Sequence, residues 1–234
     1  ELERIARVSG AERKLAEIYA REIEGVAGDD GTSARLARRA GELFEQLGEL
    51  DRALVFHRRA LAFAPEDRGL FSAVDGILVR QSAHAERVLL HRAALDHRFE
   101  PADRLETLHV IAGLERGPLG DSDAAIETYR AALDAEDTDA RALDALTELY
   151  RARSRFVDLA ELLERRAESS AAPEARAEYR IALAQLQRGE LGEPGRAIDS
   201  LEEIVRELPH HQEALRELEA LREVDEHKER VVEI

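Results

Sequence analysis

Histidine, carboxylate and arginine spacing sets the first limits on what this chain can do. His84 and His91 stand seven apart, His97 follows, and His210 and His211 are adjacent. A metal site needs ligands that converge on one ion, and seven residues along a helix is about 10 Å of rise. That spacing predicts no metal centre. With 50 Asp and Glu among 234 residues, paired carboxylates carry no signal for acid–base catalysis. No Gly-rich phosphate loop or nucleophile motif is present, and without cysteine there is no thiolate ligand or nucleophile. The expectation is a protein without catalytic residues, metal or cofactor. Arg35 and Arg38 could offer guanidinium forks to an acidic ligand, although a helix this crowded with charge more often presents a solvated face.

The elements that carry these residues repeat. Ala53, Ala125 and Ala197 are spaced by 72, and open the similar segments RALVFHRRAL (from Arg52), AAIETYRAAL (from Ala124) and RAIDSLEEIV (from Arg196). Gly48, Gly120 and Gly192 keep the same offset before them, as do Leu47, Leu119 and Leu191. Leu2, Val74, Leu146 and Leu218 follow the same step, and so do Ile5, Ile77, Leu149 and Leu221. Apolar residues at i, i+3 and i+4 from Ala11, Ala85 and Val157 mark amphipathic helices. Turn signals at Gly48, Pro65, Pro101, Gly117-Pro118, Pro173, Glu193-Pro194-Gly195 and Pro209 separate them. The pattern predicts about fourteen helices in antiparallel pairs, four to each 72-residue period. A hairpin buries its apolar stripe only partly, so each needs the next, which gives a single elongated all-α solenoid over residues 1–234. By the same register both ends fall inside helices, Glu1 aligning with Ala73 and Val231–Ile234 with Leu159–Leu162, so a fragment of a longer array is expected.

These residues resemble the tetratricopeptide repeat, a unit of about 34 residues with W-x2-L-G-x2-Y, A-x3-F and P positions. The best match runs from Ala34 to Asp67, with Ala40-Gly41-x2-Phe44, Ala53-x3-His57 and Pro65; later matches carry Ala112-Gly113 with Ala125-x3-Tyr129, and Ala184 with Ala197-x3-Leu201 and Pro209. Four extra residues precede Ala125, so the period is 34 plus 38. In the intervening hairpin Asp75 and Arg87 replace the small residues Gly41 and Ala53, a joint change that suggests an ion pair between its two helices; a half-buried pair gives back much of its gain in desolvation. The resemblance implies a right-handed superhelix whose concave groove, lined by the first helix of each pair, binds a peptide or partner protein without catalysis.

Family geometry places Arg35, Arg38 and Glu42 in that groove on one helix. Ser72, Gly76 and Val79 follow on the next, beneath which Leu70, Phe71, Val74, Ile77 and Leu78 form the core. Thr107, Val110 and Leu114 stand on the third, with Asp144 and Glu148 beyond. A small, apolar patch flanked by charge suits a partner helix or an apolar peptide; packing against neighbouring helices would account for the same residues. The family's carboxylate clamp uses Lys and Asn, and this chain has no Asn, so that mode is not expected.

Charge narrows the partner further. A net charge of −16 opposes nucleic acid, whose binding needs Lys and Arg on phosphates, and disfavours the basic groove of pentatricopeptide-type RNA binders. No apolar run reaches membrane-span length, and no leader pattern opens the chain. A protein-binding scaffold is the leading expectation; a structural spacer or self-association module is the alternative, and a homo-oligomer fits either. The compartment stays open, the cytoplasm being slightly favoured, and the scarcity of Lys against Arg suggests bacterial coding.

Overall fold

Three of the four series of helix starts keep the 72-residue step, and the fourth departs from it once, by two residues. In this computed structural model, which describes residues 4, 6, 10–25, 31–97 and 100–222, twelve helices are found. They are α1 Glu12–Gly25, α2 Gly31–Gln46, α3 Leu50–Phe63, α4 Arg68–Arg80, α5 His84–Leu95, α6 Pro101–Arg116, α7 Ser122–Ala135, α8 Ala140–Ala152, α9 Phe156–Ser169, α10 Pro173–Arg188, α11 Pro194–Glu207 and α12 Gln212–Arg222. Helices α1, α5 and α9 thus begin 72 apart, as do α3, α7 and α11, and α4, α8 and α12. The further helices expected from the sequence, with Leu2, Ile5 and residues 231–234, lie outside the described residues. The chain groups into two units, Glu1–Ala125 and Ile126–Ile234.

Local chemistry explains the boundaries. Asp67 caps α4 by accepting from the Leu70 N–H at 2.9 Å, Asp139 caps α8 through the Arg141 N–H at 3.1 Å, and His211 Nδ1 takes the same place for α12, accepting from Ala214 at 3.3 Å. Such caps satisfy one of the orphan donors of a helix start. Pro101, Pro173 and Pro194 stand in first turns, where no N–H partner is lost. Tight turns need positive φ at two places in each period: Gly48, Gly120 and Gly192 at 77°, 64° and 65°, and Gly10, Ser82 and Ser154 at 68°, 53° and 53°. The first set follows the regular hairpin's opening helix; the second follows the divergent one's.

Within the first unit α2 packs against α1 and α3, and consecutive helices continue the pairing through α6. Its main core gathers Ile23, Phe44, Val74, Ile77 and Leu78 around the alanines Ala37, Ala40 and Ala53. Phe44 stacks on Phe56 at 5.5 Å between centroids, and the Arg52 guanidinium covers Phe44 at 3.9 Å. In the second unit α9 to α12 pack in sequence, with Ile181, Ile198, Leu201, Ile204 and Leu221 in the core.

Alternate helices are stitched together by arginine. Arg52 reaches Glu17 at 2.5 and 3.0 Å, joining α3 to α1; Arg58 reaches Glu86 at 2.5 Å, joining α3 to α5. In the second unit Arg130 meets Asp158 at 2.5 Å, joining α7 to α9. Arg58 and Arg130, and Glu86 and Asp158, are each 72 apart, so one seam contact recurs with the fold.

Candidate functional site

Helices α2 and α4 lie side by side, because ion pairs hold both ends. Arg38 of α2 binds Asp67 at the start of α4, and Glu45 of α2 binds Arg80 at its end. Arg68 in turn binds Asp103 of α6. These bridges draw together the first helices of three successive hairpins.

The nine candidate residues divide by accessibility. Arg35 is exposed, while Arg38 is half-buried and committed to Asp67. Glu42 lies 2.7 Å from Arg39 on its own helix. Ser72 is exposed, Gly76 is half-buried with open space beside its α-carbon, and Val79 is 49% exposed. The third helix differs. Thr107 and Leu114 are buried, and Val110 is half-buried against Val88, Ile111 and Leu114. The Thr107 hydroxyl donates to the Asp103 carbonyl at 2.7 Å, one turn back. Thr107, Val110 and Leu114 stand 72 residues after Arg35, Arg38 and Glu42, so the register is kept, and the difference is that Val88 and Leu95 of α5 pack into one apolar cluster with Val110, Ile111 and Leu114. Arg35, Glu42, Ser72 and Val79 are thus accessible, and Thr107 and Leu114 are not.

Between the helices of each hairpin the small-residue positions take two forms. At Gly41 a β-carbon would come within 2.7 Å of the His57 ring, so glycine is required where α3 presses this imidazole onto α2. His57 is only 2% exposed. Its Nε2 lies 3.3 Å from Glu45 Oε2, close enough for charge attraction but outside hydrogen-bond geometry, and neither ring nitrogen is hydrogen-bonded. Burial depresses its pKa, outweighing the attraction of Glu45 and Glu42, so the buried ring is neutral.

In the next hairpin Asp75 fills the Gly41 position and reaches across to two partners. Arg87 Nε and Nη2 donate to its carboxylate at 2.8 and 3.1 Å, and His91 Nε2 lies 3.3 Å away. Phe71 meets the His91 ring edge-on at 5.0 Å. Burial raises the Asp75 pKa, but Arg87 and His91 outweigh it and the net shift is downward, leaving a carboxylate. The ion pair expected from the joint substitution is present, and its role is architectural. Neither it nor His57 opens to a reacting group. Among the described residues no cluster of His, Asp or Glu is arranged to hold a metal ion, and no helix is long and apolar enough to cross a membrane.

No family model matches the chain, and no curated protein does either. Solved structures give fold-level likenesses. YrrB, described as a tetratricopeptide protein with an unusual peptide-binding site, is 16% identical over 86% of this chain and 97% of its own, with a TM-score of 0.40. MamA is 11% identical over 76% and 92%, at 0.40. PilF of Pseudomonas aeruginosa is 15% identical over 89% and 98%, at 0.39. Each likeness is weak, and the reading of an all-α array of tetratricopeptide-like hairpins rests on the 72-residue register and the helix pairing.

Proposed function

We propose that this chain is a non-enzymatic protein–protein interaction scaffold that holds a peptide or partner protein on the face of α2 and α4. The observation that carries the reading is the accessible surface shared by Arg35, Glu42, Ser72 and Val79, held in place by the Arg38–Asp67 and Glu45–Arg80 bridges. A face with both charges and a half-exposed valine is suited to a mixed peptide rather than to a polyanion, and the −16 net charge supports protein over nucleic acid. Val110 is half-buried and Thr107 and Leu114 are buried, so the proposed face does not include them. We read the two units as parts of one continuous repeat array over residues 1–234.

Substitution of exposed positions tests this without disturbing the core. Ser72→Glu with Val79→Glu should keep the wild-type circular dichroism and unfolding midpoint and lose at least tenfold in affinity for a partner purified with the wild-type chain. Unchanged affinity in the folded double variant excludes this face. The burial of Thr107 and Leu114 favours a second reading, a structural spacer or self-association module with no ligand on α2 and α4. Under that reading the variant changes nothing except self-association, which sedimentation velocity measures.

A further inference from the structure

The opposite edge of the first unit holds an apolar groove that the fold itself does not require. It lies between α3 and α5, with a volume of about 230 Å³, lined by Arg58, Leu61 and Ala62 on one side and Leu90, Ala93 and His97 on the other. Pro65, Phe71 and Ala94 close its floor. On the same two helices Leu89 is 67% exposed, and Val55, which lines a hollow towards Glu17 and Arg21 of α1, is 62% exposed.

The internal repeat supplies a control for that apolar character. Seventy-two residues on, the second unit has an equivalent groove between α7 and α9, with the same Arg130–Asp158 seam and the same leucines, Leu133 and Leu162. Four exposed apolar positions of α3 and α5 have become charged there: Val55 corresponds to Glu127, Ala62 to Asp134, Leu89 to Glu161 and Ala93 to Arg165, whereas Ala85 corresponds to Val157. One step back, the counterparts of Leu89 and Ala93 on α1 are Glu17 and Arg21; two steps on, those of Val55 and Ala62 on α11 are Asp199 and Arg206. Helices at this position in the hairpin thus carry charge at these places wherever solvent is their neighbour. Apolar side chains gathered in one groove and absent from its repeats mark a contact surface.

Charge at the groove's end indicates the occupant. Beyond Pro65, Phe71, Ala94 and His97 the groove opens into a second hollow lined by Glu66, Asp67, Arg68, Glu100 and Asp103. Asp67 is taken by Arg38, and Asp103 with Arg68 by each other. Glu66 and Glu100 are exposed, and among the described residues neither belongs to an ion pair. An apolar cleft leading to two exposed carboxylates outside those bridges selects for an apolar side chain next to a cation.

We propose that the α3–α5 groove docks a partner-protein segment bearing one Leu or Phe close to a Lys or Arg, with the apolar anchor between Ala62 and Ala93 and the cation facing Glu66 and Glu100. This surface is separate from the α2–α4 face, so either reading can fail without the other.

The test selects a displayed random dodecapeptide library on the whole chain, then measures the enriched peptides by fluorescence anisotropy. Enriched sequences should pair Leu or Phe with Lys or Arg within four residues. Affinity should fall at least tenfold for Ala62→Asp with Ala93→Arg, which installs side chains that the second unit already carries, so folding is expected to persist. Should that variant unfold by circular dichroism, Ala62→Asp alone, again native to the second unit, takes its place with the same expectation. Glu66→Lys with Glu100→Lys should weaken basic peptides and strengthen versions in which the cation is replaced by Glu. Failure to enrich any peptide, enrichment of acidic or wholly apolar ones, or affinity that ignores the groove substitutions would each overturn the proposal. So would concentration-dependent dimerisation of the wild type that Ala62→Asp with Ala93→Arg abolishes, since the occupant would then be a second copy.

Discussion

Replacing Asp75 and Arg87 singly and together measures whether the divergent hairpin is held by its ion pair. Their side chains are 21% and 17% exposed, between the surface case and the fully buried one. Surface pairs contribute about 0–1 kcal/mol, and removal of one partner from a fully buried pair costs about 3–5 kcal/mol. Arg87→Ala leaves the carboxylate half-buried with only His91 beside it, and should cost about 2 kcal/mol on that scale. Asp75→Ala should cost less, about 1 kcal/mol, because the long Arg87 side chain can carry its charge outward to water. The double variant removes both charges, and also resembles the regular hairpin, where Gly41 and Ala53 hold these places. It should cost about 1.5 kcal/mol rather than the sum of 3, a coupling of about 1.5 kcal/mol. Urea unfolding followed by circular dichroism, with hydrogen exchange of α4 and α5 to localise the loss, reads these differences. A coupling below about 0.5 kcal/mol, which is the scatter of independent sites, would show that Asp75 and Arg87 are neighbours without mutual support.

Three more outcomes follow from particular positions. Gly41→Ala should destabilise by about 1–3 kcal/mol despite the better helix propensity of alanine, since the new methyl meets the His57 ring at 2.7 Å; adding His57→Ala should restore part of the loss, and unfolding midpoints of the two variants decide. Ser82→Gly and Ser154→Gly should each stabilise by up to about 1 kcal/mol by relieving a left-handed backbone at φ 53°, whereas Ser72→Gly inside α4 should destabilise by a similar amount; thermal melts compare them. His57 is neutral in the fold with a pKa below the ordinary 6.5, so the unfolded chain binds the extra proton. Its contribution is present above pH 6.5 and is lost as pH falls from there towards the folded pKa, and His57→Leu should flatten that part of a stability profile recorded from pH 8 to pH 5.

The repeat was legible in the sequence because short-range chemistry is written locally. Pro at 101 and 173, Gly at 48, 120 and 192 and the apolar spacing fix where helices begin and end, and the structure places their starts on the same step. The Asp75–Arg87 pair was legible for a related reason: two changes at positions already known to face each other imply contact. Site residues on α6 were not. Thr107, Val110 and Leu114 keep the 72-residue register with Arg35, Arg38 and Glu42, and nothing in that spacing tells that Val88 and Leu95 of α5 draw Val110 and Leu114 into an apolar cluster. His57 was missed as a buried titratable group, although Gly41, sixteen residues earlier in the paired helix, was the available signal that something bulky lay against it. The Ser82 and Ser154 turns were missed because serine gives no hint of positive φ; only the alignment of both with Gly10 does.

The same internal comparison separates what the fold demands from what this chain adds. Caps at Asp67, Asp139 and His211, left-handed turns at fixed intervals and the Arg58–Glu86 and Arg130–Asp158 seams recur because every period must start, turn and stack. Features that recur are thereby explained by architecture and need no ligand. Features that fail to recur need another cause, and two remain on the first unit: the accessible valine and serine of α4, and the apolar lining between α3 and α5. Their counterparts on α8 are Arg151 and Asp144, and those of the groove are Glu127, Asp134, Glu161 and Arg165. Charge at these counterparts is what water asks of an exposed helix. Its replacement by small and apolar side chains, confined to one half of a repeating chain, is best accounted for by a protein surface that takes the place of water there.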